Sequence, residues 1–224
     1  YPIGYFFGYK AIGVFQTQEE IDSYISPATG KPIQPNAAPG DTKFEDLNGD
    51  GVISDDNEDR TMIGKPNPDW MVGLTVAADW NGFDLSAFFQ GSFGADVFDA
   101  LRRYELAAVN YTSDALERWT GPGTSNSMPR IVLGDTPKNF RPSTLLVHDA
   151  SFLRLRNLQV GYTLPAQLTR KAYIQRLRFY ASFDNLLTIT GYKGMDPEIG
   201  STMGIDKGVY PQARVYTFGL NLTF

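Results

Sequence analysis

The chain has 224 residues, 42% hydrophobic and 13% aromatic, with 22 Gly, 14 Pro and a net charge of -5. That charge argues against a general nucleic-acid surface, and the lack of Cys removes disulfides, thiolate metal sites and thiol nucleophiles. No apolar run reaches the roughly 18 residues of a transmembrane helix. The chain opens on "YPIGYFF", with neither Met nor a basic-apolar leader, and reads as a piece of something longer or a processed chain, so the missing address decides nothing.

In chain order, "YPIGYFFGYKAIGVF" (1–15) predicts a strand with imperfect alternation. "DLNGDGVISDDNEDR" (46–60) has the ligand spacing of an EF-hand calcium loop. Asp46, Asn48 and Asp50 stand at positions one, three and five, Gly51 at the sharp turn, and Val52 offers its carbonyl at seven. Where a Glu should close the shell there is Asn57, and no amphipathic helix follows. The extended, twice-prolyl "RTMIGKPNPDW" comes instead. The acids Asp55, Asp56, Glu58 and Asp59 alone would suit a charged loop, but the ligand pattern before them favours a metal.

"DWMVGLTVAADWNGFDLSAFFQGSF" predicts a hairpin, because both positions of an Asn81-Gly82 turn need positive φ. Folding there sets Trp80 against Phe83, Ala78 against Leu85, Val76 against Ala87, Leu74 against Phe89, Val72 against Gly91 and Trp70 against Phe93. That face is apolar or Gly throughout. The other, which includes Asp79 opposite Asp84, is mixed and largely polar. The two aspartates repel but lie beside the turn, where water screens them. Half of a water-soluble β-sandwich would carry such a face. The aromatics at its two ends favour a membrane barrel, which needs them at both water–lipid interfaces. From Trp70 to Trp80 is roughly 33 Å of strand. Tilted about 45°, this spans roughly 24 Å, near the height of an outer-membrane apolar band.

"VFDALRRYELAAVN" (97–110) and "SDALERW" (113–119) read as small helices in a long loop. "DASFLRLRNLQVGYTL" is apolar at Leu153 and Leu155 and then switches parity to Leu158, Val160 and Tyr162, which predicts a bulge near Arg156 or Asn157. "QRLRFYASFDNLL" puts Leu177, Phe179, Ala181 and Phe183 on one face, and "RVYTFGLNLTF" (214–224) does the same with Tyr216, Phe218, Leu220, Leu222 and Phe224. The 81–82 turn and "PAQLTRKAY" are short, whereas 16–69, 95–144 and 189–212 are long. Short turns on one edge and long loops on the other are the periplasmic and extracellular sides of such a barrel. The calcium-like loop then lies outside the cell and the C-terminus in the periplasm.

These blocks, with "GDTKFEDLNGDGVISDDNEDRTMIGKPNPDW", "SFLRLRNLQVGYTLP" and "NLLTITGYKGMDPE" in that order, resemble the C-terminal part of the SusC/RagA-type TonB-linked outer-membrane transporters. The resemblance covers almost the whole chain. It implies an all-β fold in which residues 1–224 supply roughly six antiparallel strands of a barrel of about 22, a size with a plugged lumen. It implies a diderm outer membrane, import of oligosaccharide or peptide, a SusD-like surface lipoprotein as partner, and the TonB complex acting through regions outside this chain. Against the family spacing before "RT-x-IG" the acidic loop is longer, which makes Asp59 the favoured closing ligand for Ca2+, with Glu58 next. "TFGLNLTF" fits the signal read by the barrel-assembly machinery, with Thr217 the polar position, Gly219 the glycine, and Leu222 and Phe224 the apolar ones. An ordinary final strand that ends in Phe would look similar.

The remaining chemistry is sparse. His148 has no nucleophile to serve and reads as structural. Asp196 and Glu198 imitate a glycosidase pair but, two residues apart in a Pro/Gly loop, read as a solvated turn. Tyr104, Tyr111 and Trp119 suit loop packing better than sugar stacking. The reading is therefore a non-enzymatic transport component. The alternatives are a secreted, calcium-stapled β-sandwich that binds glycans, and a barrel that only anchors an adhesin.

Overall fold

The computed structural model describes residues 2–102, 104, 106, 110–198 and 203–224. Twelve strands appear among them: β1 (Phe6–Tyr9), β2 (Ala11–Val14), β3 (Thr42–Phe44), β4 (Arg60–Gly64), β5 (Trp70–Trp80), β6 (Phe83–Phe93), β7 (Asp96–Asp99), β8 (Val147–Asp149), β9 (Phe152–Thr163), β10 (Arg176–Thr190), β11 (Ile205–Asp206) and β12 (Val215–Thr223). Two short α-helices, α1 (Gln18–Ser23) and α2 (Ala166–Thr169), join them. Among the described residues no helix is long and apolar enough to cross a membrane, which says nothing of crossing by strands. The contacts divide the chain into two units, one of residues 1–67, 96–148 and 200–208, the other of 68–95, 149–199 and 209–224.

The second unit is an antiparallel sheet in the order β12-β10-β9-β6-β5, an up-and-down meander in which each strand lies beside its predecessor. Its connections therefore alternate between edges. Residues 81–82 and 164–175 turn the chain at one edge, and 94–151 and 191–214 lead away from the other. Asn81 (φ 48°) and Gly82 (φ 86°) both take positive φ, and the hairpin they set has the predicted register from Trp80↔Phe83 to Trp70↔Phe93. The parity switch in β9 is a bulge at Arg156: Phe88 of β6 pairs with Asn157, and the next residue, Phe89, pairs with Leu155. With that extra residue absorbed, one face stays apolar across all five strands. A single row runs Leu74, Phe89, Leu155 and Leu187; another runs Leu85, Val160, Ala181 and Phe218. Aromatic pairs reinforce it, Phe83 on Tyr162 at 4.4 Å and Phe183 on Tyr216 at 5.8 Å between centroids.

The first unit corrects the reading of residues 1–15. They form not one strand of the sheet but two short ones, β1 paired with β4 and β2 paired with β3. Each ladder carries a register shift, and Gly13 adopts φ 148° at the one in β2. At Gly8 a side chain would collide with the Pro142 carbonyl. Chain geometry around these glycines, rather than alternation, sets the path. Phe15, Phe44, Tyr9 and Ile21 are buried in this unit. α1 opens on a reciprocal cap, Glu20 N–H donating to Thr17 Oγ1 (3.3 Å) and Gln16 N–H to the Glu20 carboxylate (2.8 Å). Arg130 holds Asp41 (2.6 Å), Asn139 donates to the same carboxylate (3.0 Å), and Trp119 Nε1 donates to Gln16 (3.1 Å). These bonds tie residues 119–139 to residues 16–41.

The helical reading of 97–110 is also corrected. Val97–Asp99 lie in β7, which runs parallel to β11, and Asp99 ends it by accepting the Leu101 N–H (2.9 Å). Residues 103, 105 and 107–109 of that segment lie outside the described residues. Ser113–Glu117 does turn, but as a short 3-10 helix. Tyr104 packs with Ala115 and Met128 against Ile131 and Phe140, as loop packing requires.

Candidate functional site

The two faces of the sheet differ in chemistry, one an apolar row and the other a set of ion pairs. On the apolar face Trp70 is 73% exposed and Trp80 76%, and Val72, Leu74, Val76, Phe83, Leu85, Phe93, Tyr216, Phe218, Leu220 and Leu222 are all exposed. So long an exposed apolar row marks a surface that meets something other than water. The four predicted girdle residues, Trp70, Phe93, Trp80 and Phe83, are brought together as cross-strand pairs at its two ends.

The opposite face is a charged network that sequence reading largely missed. Asp84 does not rely on water to relieve Asp79. Arg178, two strands away, donates to both of its oxygens, Nε at 2.9 Å, across Gly161, where any side chain would occupy the space between them. Asn157 joins Ser182 (3.1 Å) and Asp184 (2.7 Å). Arg154, 2% exposed, donates to Thr188 (2.9 Å), Glu198 (3.0 Å) and Asp196 (2.5 Å). Asp196 is therefore no solvated turn. It is 7% exposed, and beyond Arg154 it accepts the backbone N–H groups of Glu198 (2.9 Å) and Gln212 (3.0 Å). Burial alone would push its carboxyl up, but the Gln212 and Glu198 amides and the Arg154 guanidinium outweigh this and hold it below the usual range. The available signal was the pair of arginines flanking Leu155 in "RLR", on a strand whose other face is apolar. Inward arginines demand partners, and the chain offers few acids downstream.

The acidic loop is folded on itself. Asp46 accepts the N–H groups of Gly49 (2.8 Å) and Gly51 (2.9 Å), Asn48 that of Asp50 (3.0 Å), and Asp50 that of Val52 (2.9 Å). Asn48 Nδ2 donates to both Asp50 (2.9 Å) and Glu58 (3.0 Å). Asp59, 0% exposed, accepts from Leu47 N–H (3.1 Å) and Ser54 N–H (2.9 Å), so it already ties the two halves of the loop. The Val52 side chain is exposed. Among the described residues no three His, Asp or Glu side chains converge as a metal shell. The oxygens of Asp46, Asn48, Asp50 and Glu58 are hard donors of the kind Ca2+ takes, and Asn48 already brings two carboxylates to one point.

At the C-terminal strand, Thr217 faces Ser182, Leu222 faces Leu177 on the apolar side, and Gly219 lies opposite Tyr180, whose ring would block a side chain there. Packing alone thus accounts for that glycine. Phe224 follows β12 and is exposed.

No family model matches the chain. It is similar to TonB-dependent receptor P3 of Formosa agariphila, 34% identical over 99% of this chain and 22% of that protein. It is also similar to TonB-dependent receptor SusC of Bacteroides thetaiotaomicron, 31% identical over 97% of this chain and 20% of that one. Among solved structures it superposes on the RagAB peptide transporter with a TM-score of 0.70 and 28% identity, covering 98% of this chain and 23% of that one. The chain spans about a fifth of the length of the curated relatives it matches.

Proposed function

Because the chain is a segment of a SusC/RagA-like β-barrel, we infer that it builds part of the wall of a TonB-dependent outer-membrane importer of oligosaccharide or peptide. The observation that carries this is the five-stranded sheet with an exposed apolar row on one face and ion pairs on the other. A soluble sandwich would bury that row. Trp70 with Phe93 and Trp80 with Phe83 act as anchors at the two interfaces, the edge with the short turns is periplasmic, and the long segments lie outside. A SusD-like surface lipoprotein is the partner there, and the TonB complex engages parts of the protein beyond the fifth that this chain spans. In a diderm host expressing the full-length protein, uptake of labelled oligopeptide or oligosaccharide mixtures should fall to background when TonB is deleted. Uptake that survives the deletion, or none of either mixture, rejects the importer.

We also propose that Ca2+ staples the acidic loop through Asp46, Asn48, Asp50, the Val52 carbonyl and Glu58, with Asp59 holding the loop closed from behind. The hard-oxygen donor set supports it. Millimolar Ca2+ should slow trypsin cleavage at Arg60 in the full-length protein about tenfold, and D50N should abolish the protection. Equal cleavage with Ca2+ and with chelator leaves a hydrogen-bonded turn and no metal site.

A further inference from the structure

We propose that Arg154 and Arg156 form a carboxylate-binding fork on the lumenal wall, filled in this structure by Glu198 and open to an acidic ligand that displaces the Glu198 side chain. The proposal rests on the importer reading, since a lumen is what would bring ligand to this face. Asp196 and Glu198 share the two arginines unequally. Asp196 is buried and fixed by two backbone amides as well as by Arg154. The Glu198 carboxylate is about one-third exposed, and each of its oxygens takes one guanidinium N–H, from Arg154 Nη1 and from Arg156 Nη2.

Three features make the fork a site rather than a surface ion pair. Arg156 sits on the β9 bulge, opposite Asn185 and Leu186 of β10, which the ladder also skips. Asn185 holds a positive φ of 53°, a strained conformation of the kind that gathers at functional positions. Arg156 is also anchored without Glu198, through Gln90 (2.7 Å) and Asn185 (3.3 Å), so its remaining N–H keeps its aim when the carboxylate leaves. Finally, displacement requires only a side-chain rotation, because the Glu198 backbone stays bound to Asp196. Exchanging one carboxylate for another leaves the buried Arg154 neutralised throughout. Glu198 spans the two guanidinium groups with one oxygen on each, so the site selects a planar carboxylate, from either a peptide terminus or a uronic acid.

The test uses the full-length transporter in detergent, with tetra-alanine as free acid, its C-terminal amide, and trigalacturonate as probes in calorimetric titration. If Glu198 occupies the fork about nine-tenths of the time, E198A should tighten binding of at least one acid about tenfold. The amide should not respond, and adding R156M should remove the gain. E198Q, an uncharged competitor, should shift affinity in the same direction by less and serves if E198A fails to fold. The proposal is overturned if no acid gains affinity in either variant, or if the gain survives R156M. TonB-dependent uptake judges the importer separately: lost uptake with an intact E198A effect rejects the importer alone.

Discussion

Arg in place of Leu74 should destabilise the inserted barrel by about 2–4 kcal/mol, and Arg in place of Thr75 should cost far less. The two residues are neighbours on β5, so strand propensity and distance from the turn are nearly the same for both. Their faces differ. Leu74 stands in the exposed apolar row beside Phe89, and Thr75 on the polar side beside Phe88. On the importer reading the first arginine would lose its hydration near the bilayer midplane, while the second would stay on the wet face that carries Arg154, Arg156 and Arg178. Urea titration of the full-length protein refolded into phospholipid vesicles reads the difference. Equal costs at the two positions would remove the bilayer from this face and return the sheet to the sandwich.

What the sequence made legible followed from local rules. Asn81-Gly82 fixes a turn, the turn fixes a register, and the register sorts every residue of β5 and β6 to a face. The bulge at Arg156 was legible for the same reason, since a period of two cannot change parity without an extra residue. What stayed hidden depends on partners distant in sequence. Arg154 meets acids 42 and 44 residues away, and Asp84 meets an arginine 94 residues away; no local pattern encodes those pairings. β1 and β2 escaped for a related reason. Their strands are four residues long, and they are held by β4 and β3 rather than by their own alternation. In β7, Asp99 closes a strand that helix-forming residues follow, so composition pointed the wrong way.

Removing the Asp196 carboxylate should be the most damaging single change on the polar face. Arg154 is almost fully buried, and taking one partner from a buried pair leaves an uncompensated charge, at a cost of about 3–5 kcal/mol. D196A also strands the Glu198 and Gln212 amides, which no longer have an acceptor. Glu198 softens the loss, since it can keep part of the Arg154 charge neutralised. Replacing Arg154 by Met in the same protein should therefore recover part of the stability, because the apolar stem needs no counter-ion. The folded carboxyl titrates below its unfolded value of about 3.9. Its contribution is thus fully present above about pH 4 and is lost as the pH falls through the lower folded value. Thermal unfolding of the full-length protein in detergent should show D196N below the wild type from neutral pH to about pH 4, with the two curves converging under more acid conditions. A D196A protein as stable as the wild type, or a gap that persists unchanged at the acid end, would show that Asp196 is not what holds Arg154 in place.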